Sequence, residues 1–294
     1  MTLHNALKYS ADVVGMRDAV LLVSCVTGCS HEDILLRGDN VMPEGAEDGL
    51  MRKLKRLMTD EPLQYVLGTW DFMGLEFLTD ARALIPRPET ELLAEAVLKH
   101  LNYFKTTDYR HSCLVCEGFR ILDLCTGTGC IGLSLAWHTN FMYDVVLADV
   151  SKDALELAKE NRGRILAKAV CQEAASRISL HLSDLMSNVP GSFDIIVSNP
   201  PYIPSNEIAS LAKNVKNHEP CIALDGGIDG LDIYRRLIPQ SHMKLKDGGA
   251  IFLEIGPNEA ADLVEQTGFC DIEVIKDYAG HNRVVKGVKK CLIN

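Results

Sequence analysis

Apolar residues recur at three- and four-residue spacing through the first sixty positions. The stretches "HNALKYSADVVGM" (4–16), "RDAVLLVSCVTG" (17–28) and "EDGLMRKLKRLM" (47–58) keep polar faces between those positions, which predicts amphipathic helices. Gly28, Gly38 and Pro43 punctuate them. The period then changes. "QYVLGTWDFMGLEFLTD" (64–80) is rich in strand formers and broken by Gly68 and Gly74, as a hairpin is. Helical spacing returns in "LIPRPETELLAEAVLKHL" (84–101), where Leu92, Leu93, Ala96 and Leu101 mark one face. Pro88 suits the first turn of that helix, and Glu89 and Glu91 complement its positive end.

From Arg120 onward, short apolar β-branched runs alternate with helical stretches. Strands are expected at "RILDLC", "DVVLADV", "RISLHL", "FDIIVSN", "AIFLEIG", "DIEVIK" and "RVVKGV", with helices at "IGLSLAWH" and "DALELAKENRGRILAKAV". Such alternation predicts an α/β fold whose mostly parallel sheet carries helices on both faces. Only "DYAGHN" (277–282) separates the last two strands, too short for a crossover helix, so that pair should be antiparallel. The expected organisation is a helical domain over 1–62, a hairpin linker over 63–86 and an α/β domain over 87–294.

The chemistry gathers where these strands end. The first runs into "DLCTGTGC" (123–130), where Gly127 and Gly129 let backbone approach a ligand closely and open a helix whose amides face it. The second ends on Asp149, 24 positions after Cys125, where a carboxylate can bind both hydroxyls of a ribose. A cap on the following helix is the structural alternative for Asp149. The G-x-G-x-x-G of a dinucleotide fold is absent; C-T-G-T-G after an acidic residue is the turn used for S-adenosylmethionine. Asp184 in "LSDLMS" follows the third strand, within reach of an adenine. The fourth delivers "VSNPPYIP" (197–204), whose two prolines supply no N–H and hold the segment stiff.

That segment suits one task. The nitrogen of an amide or an exocyclic amine is a poor nucleophile, because its lone pair is delocalised. Asn199 can accept one of its N–H groups through the side-chain oxygen, the Pro200 carbonyl can accept the other, and Tyr202 can lie against the planar group. The expected catalytic set is Asn199, Pro200 and Tyr202, with Pro201 completing the substrate clamp. The expected cofactor set is Cys125, Thr126, Gly127, Thr128, Gly129, Asp149, Asp184, Leu185 and Asn199.

Composition narrows the partners. With 47% hydrophobic and 24% charged residues over 294 positions, the chain reads as an ordinary globular protein of about two domains. No apolar stretch approaches the ~18 residues of a membrane span, and the N-terminus lacks a basic region followed by an apolar core. Cytoplasmic localisation is the expectation, with no membrane partner. A net charge of −10 argues against gripping duplex phosphates and suits a basic protein partner, or simply a solubilising surface. Cys113 and Cys116, near His111, have C-x-x-C spacing but no second ligand pair, so no metal is expected and the segment reads as a surface insertion.

The chain resembles the N5-glutamine methyltransferases that modify peptide chain release factors, the HemK family. The resemblance rests on "EPLQYVLG" (61–68), "LIPRPETELL" (84–93), "DLCTGTGCIGLSLA" (123–136), "SNPPYI" (198–203) and "DYAGHNRVVKG" (277–287). It implies a Rossmann-like class I methyltransferase sheet of seven strands behind a small N-terminal helical domain. It further implies S-adenosyl-L-methionine as cofactor and the glutamine of a Gly-Gly-Gln loop in class I release factors as methyl acceptor. On this resemblance Cys125 to Gly129 form the cofactor turn, Asp149 is the ribose carboxylate, and Asn199 to Tyr202 form the clamp. Two departures stand out. Cys125 occupies the place of the turn's first glycine and is expected to keep a negative φ, and Leu185 replaces an aromatic beside the adenine. The segment 102–119 is longer than the family requires. The rival activities are methylation of a glutamine in a large-subunit ribosomal protein and N6-methylation of adenine in DNA. The "IPRPETE" segment and the long N-terminal region favour the release-factor enzyme over the first. The lack of a recognition region and of a basic face weighs against the second. Retention of Asn199, Pro200 and Tyr202 weighs against a third reading, a non-catalytic scaffold.

Overall fold

The computed structural model describes residues 1–107, 118–171, 173–256 and 260–291. The stretch with His111, Cys113 and Cys116 lies outside them. The chain divides into two compact units, one of Met1–Trp70 with Ala212–His218, the other of Asp71–Leu211 with Glu219–Asn294.

The first unit holds α1 (Leu3–Val14), α2 (Met16–Thr27), α3 (His31–Leu36), α4 (Ala46–Leu57) and α5 (Leu63–Leu67). Thr2 and Ser30 cap α1 and α3 by accepting from backbone N–H groups three residues on. Leu3, Ala6 and Leu7 of α1, Ala19, Leu22 and Val23 of α2, and Leu50 and Leu54 of α4 form its apolar core. Leu63, Val66 and Leu67 join that core. Residues 64–67, expected to be β-like, are therefore helical: Pro62 precedes the turn, left-handed Gly68 ends it, and the apolar spacing is three and four. The hairpin begins only afterwards, as β1 (Thr69–Phe72) and β2 (Leu75–Leu78), turning through Met73 and Gly74, both at positive φ.

The second unit continues with α6 (Pro88–Thr107), β3 (Arg120–Leu124), α7 (Cys130–His138), β4 (Asp144–Asp149), α8 (Lys152–Lys168), β5 (Ile178–Leu182) and β6 (Phe193–Ser198). After α9 (Lys213–Lys216), which belongs to the first unit, come α10 (Asp232–Lys244), β7 (Leu245–Glu254), α11 (Ala260–Gln266), β8 (Phe269–Lys276) and β9 (Asn282–Lys289). The strands form one seven-stranded sheet in the order β5-β4-β3-β6-β7-β9-β8. The first five are parallel; β9 runs antiparallel to both β7 and β8, as the short connection requires.

Strand residues alternate between two apolar layers. Ile121, Val145, Leu147, Ile195, Val197 and Phe252 face one layer with Leu93 and Val97 of α6 and Leu133 and Leu135 of α7. Leu122, Val146, Ile196, Ile251 and Leu253 face the other with Tyr234, Leu237 and Ile238 of α10 and Val264 of α11. Burial on both faces explains why these strands read as continuous apolar runs. Helices α10 and α11 escape the sequence pattern, α10 because Pro239 sits inside it and charged residues dominate its surface. The order of strands reverses between β3 and β6, which opens a crevice beyond their carboxyl ends. Among the described residues, no helix is long and apolar enough to cross a membrane.

Candidate active site

One cavity occupies that crevice, lined among others by Leu124 to Thr128, Ala148 to Ser151, Ser183 to Leu185, Asn199 and Pro201, and by the Arg82–Arg87 segment. The ends of β3, β4, β5 and β6 thus meet, as expected from the sequence. Gly129 is not among the lining residues but shapes the turn: its φ is +82° and it caps α7. Pro200 is buried, Tyr202 is half-buried, and neither lines the cavity.

The glycine turn is held from both sides. Asp123, wholly buried, accepts from Thr126 Oγ1 at 2.6 Å and from Gly132 N at 2.9 Å. Burial nevertheless pushes its carboxyl up to about 7. Asp149 Oδ2 accepts from Gly127 N at 2.9 Å, while Oδ1 accepts from Ser151 N at 2.9 Å. Burial raises the Asp149 carboxyl, and these backbone donors oppose the rise. Ser151, not Asp149, caps α8, its hydroxyl accepting from Ala154 N. The capping alternative for Asp149 is thereby removed, and Asp149 lines the cavity.

Cys125 does not keep a negative φ. It sits at +57°, in the left-handed region, as do Gly127 at +54° and Leu185 at +49°. The strand must turn sharply here to bring Thr126 N onto the Ala148 carbonyl at 3.1 Å, and that closure outweighs the local strain. Burial pushes the Cys125 thiol well above its usual range, so it carries no thiolate chemistry. Asp184 is exposed and lines the cavity, and its Oδ2 accepts from Arg236 at 2.6 Å. Leu185 is buried against Met186 and Leu237 in the sheet's second layer while still lining the cavity.

The proline segment is clasped by residues 224–230. Ile203 N donates to the Leu224 carbonyl at 3.0 Å, Gly226 N to the Ile203 carbonyl at 2.9 Å, and Ser205 N to the Gly227 carbonyl at 2.8 Å. The fit is tight enough that a Cβ on Gly230 would stand 2.3 Å from the Tyr202 carbonyl oxygen. The Ile203 carbonyl is therefore used within the protein. Pro200's accepts from no described residue. Asn199 Nδ2 donates to Thr90 Oγ1 at 3.2 Å, and Asn199 Oδ1 accepts from no described residue. Tyr202 Oη donates to Glu254 Oε1 at 3.3 Å, and burial pushes the phenol up to about 12.

Sequence reasoning passed over four residues here. Thr90 was read only as part of a helix start. Glu254 ends an apolar strand at the crevice, a position where a carboxylate is itself a signal. Arg87 lines the cavity and donates to Glu219, whose side chain is 1% exposed and also accepts from Ile85 N at 3.2 Å.

The residues present fit S-adenosylmethionine. Apolar Leu124, Ile131, Ala148, Ala154 and Ile233 offer an enclosing wall, Asp149 offers a hydroxyl acceptor, and Gly127 leaves open backbone whose added Cβ would meet only Ala83, at 3.8 Å. Among the described residues no group of three or more His, Cys, Asp or Glu side chains is arranged to hold a metal.

Fold and cavity together define an S-adenosylmethionine-dependent methyltransferase. The catalytic domain of hMettl16 shares the fold, with a TM-score of 0.51 at 14% identity over 87% of this chain and 85% of that one. The "PrmC N-terminal domain" family matches residues 15–68, and the "Methyltransferase small domain" family matches 108–217. A release factor glutamine methyltransferase of Clostridium acetobutylicum is 36% identical over 97% of this chain and 95% of its own length. One of Agrobacterium fabrum is 35% identical over 91% and 88%. The chain belongs to the release factor glutamine methyltransferase family.

Proposed function

We propose that the chain methylates the side-chain amide nitrogen of the glutamine in the Gly-Gly-Gln loop of class I peptide chain release factors. The observation that carries this reading is the bond from Asn199 Nδ2 to Thr90 Oγ1. That bond takes one of the two N–H groups of Asn199 and leaves its oxygen without a partner among the described residues, beside a Pro200 carbonyl in the same condition. Two unpartnered acceptors suit a primary amide, which brings two N–H groups.

Bound S-adenosylmethionine would supply an electrophilic methyl on a sulfonium. Asp149 is assigned to the ribose hydroxyls, the Cys125–Gly129 turn to the backbone approach, and Asp184 and Leu185 to the adenine. Asn199 and Pro200 take the two amide hydrogens and turn the nitrogen lone pair toward the methyl. Their oxygens also stabilise the positive charge that develops on nitrogen as the N–C bond forms and the C–S bond breaks. Tyr202 and Pro201 restrict the plane of the incoming group. The proton leaves the methylated nitrogen for water once the charge has formed, so no dedicated base is needed.

The test is transfer of labelled methyl from S-adenosylmethionine to release factor, to its loop Gln→Ala variant, to large-subunit ribosomal protein and to duplex DNA, offered together. Label on the factor alone, absent from the variant, is expected. Equal labelling of factor and variant removes the glutamine assignment. Label on ribosomal protein or DNA transfers the reading to the corresponding rival.

A further inference from the structure

Asn161 lies in the middle of α8 and is wholly buried. Asparagine is a poor helix former, and a buried amide is costly unless its polar groups are paired. All of them are paired here. Asn161 Oδ1 accepts from Leu78 N at 2.7 Å, and Nδ2 donates to the Leu78 carbonyl at 3.2 Å and to the Thr128 carbonyl at 2.9 Å. The carboxamide thus exchanges two bonds with Leu78 as a neighbouring strand residue would, and reaches the glycine turn with its remaining hydrogen. Its orientation is fixed. A flipped amide would set NH2 against the Leu78 N–H and oxygen against the Thr128 carbonyl.

Both partners lead into the cofactor cavity. Thr126, Gly127 and Thr128 line it from the turn. The peptide between Thr128 and Gly129 is planar and held at both ends, its carbonyl by Asn161 and its N–H by the Thr126 carbonyl at 2.8 Å. Leu78 is followed closely by Arg82 to Arg87, which line the cavity as well. Glu160, next to Asn161, accepts from Arg82 Nη1 at 2.7 Å and from Nη2 at 3.1 Å. Ala83 packs with Leu78 and with Ala154 and Leu157 of α8, and its Cβ is the atom that an added Cβ on Gly127 would meet, at 3.8 Å. The wall and the turn therefore approach to contact distance, and α8 grips both.

We propose that Asn161 is a positioning residue for S-adenosylmethionine: by bonding Leu78 and Thr128 at once, it sets the spacing between the Arg82–Arg87 wall and the glycine turn that together receive the cofactor. Asn161 does not itself line the cavity, so it acts through the backbone it holds. The inference rests on the cofactor and not on the identity of the methyl acceptor.

The test uses the full ligand-free chain with S-adenosylmethionine as the probe, titrated by calorimetry. Asn161→Leu keeps the volume and removes all three bonds; Asn161→Ser is too short to span the two segments but leaves room for water on the freed groups. Both are expected to raise cofactor Kd about tenfold or more. If Asn161→Leu does not fold, Asn161→Ser carries the measurement. Ile165→Ala is the control for stability alone. Ile165 is buried on the same helix within the first apolar layer, so its truncation should lower the urea midpoint at least as far. Its cofactor Kd should nevertheless stay within about twofold of the parent. Parental Kd in the Asn161 variants would overturn the proposal, and so would an equal rise in Ile165→Ala, since general loosening would then suffice.

A second readout needs no cofactor. The backbone amide resonance of Gly129, assigned in the isotope-labelled chain, is expected to shift in both Asn161 variants, because the released carbonyl lets the peptide plane turn. It should stay in place in Ile165→Ala. A Gly129 resonance unmoved in the Asn161 variants would overturn the proposal even where cofactor binding falls.

Discussion

The ring of Tyr202 lies directly on Gly256: a Cβ at Gly256 would stand 2.8 Å from Tyr202 Cδ2 and 3.3 Å from Cε2. Gly256 follows β7 by two residues, so the strand that carries Glu254 also supplies the floor on which the aromatic ring rests. Gly256 is not at positive φ, so the requirement there is space rather than backbone freedom. Gly256→Ala should displace the ring and weaken its bond to Glu254. We expect acceptor kcat/KM to drop by about tenfold or more, at a stability cost of about 1–3 kcal/mol. Cofactor affinity, measured by calorimetry, should hold. A variant with normal methylation would show that the seat of Tyr202 is irrelevant to turnover.

Asn199→Ala tests the other half of the clamp. On the proposed reading it removes an acceptor used as charge develops, so kcat should fall roughly 10²- to 10³-fold. Among the described residues its side chain bonds only to Thr90, at 3.2 Å, so the fold should tolerate the change. Cofactor Kd should stay within about threefold. Parallel collapse of cofactor binding would mean that Asn199 serves the cofactor instead.

The outline of this site was legible because it follows from strand ends. Asp149, Asp184 and Asn199 each end or follow a strand, and parallel order brings such positions to one crevice. What escaped notice lies off that register. Thr90 is separated from Asn199 by 109 residues and meets it only because tertiary packing brings the first turn of α6 beside the residue that follows β6. Glu219 pairs with Arg87 from 132 residues away, out of a loop with no periodic pattern. The φ of Cys125 was misjudged for a related reason. Local preference favours negative φ for cysteine, and only the turn's closure onto Ala148 reverses it. Helix 64–67 was hidden because four residues suit either period, and packing into the first unit's core decided between them.

Asp149→Ala should reverse the pattern of Asn199→Ala. It removes the assigned ribose acceptor and frees Gly127 N and Ser151 N, which the carboxylate now holds. Cofactor Kd is expected to rise roughly 10- to 100-fold, with about 1–2 kcal/mol lost in stability. At saturating cofactor, kcat should recover most of its parental value. A large fall in saturated kcat with unchanged Kd would place Asp149 in the chemistry rather than in binding.

Cys125 offers a backbone test. A non-glycine residue in the left-handed region costs roughly 1–2 kcal/mol, while the cysteine side chain returns part of this by packing against the second apolar layer. Cys125→Gly should therefore keep activity and leave the unfolding free energy within about 1 kcal/mol of the parent. Cys125→Val adds a β-branch at the same φ and should lose about 1–2 kcal/mol more. Thermal unfolding of the three proteins decides the matter. Equal stability of Cys125→Val and Cys125→Gly would show that the turn relaxes away from +57°.

Asp123 makes the stability of the ligand-free chain depend on pH. Its carboxyl is raised to about 7, chiefly by burial, with the Thr126 and Gly132 bonds opposing the rise. In the unfolded chain the same group titrates near ~3.9. Between those values the folded protein keeps a proton that the unfolded chain has released. Its contribution is thus fully present below the unfolded value and is lost as pH rises through the folded one, at up to about 1.4 kcal/mol per pH unit. Asp123→Asn cannot ionise, yet it keeps an oxygen for both donors, Thr126 Oγ1 and Gly132 N. Urea unfolding from about pH 5 to about pH 8 should show the parent losing stability more steeply than Asp123→Asn. The difference should level off once Asp123 is ionised in both states. If the two curves run parallel over that range, Asp123 is already charged in the fold, and the donors around it outweigh its burial.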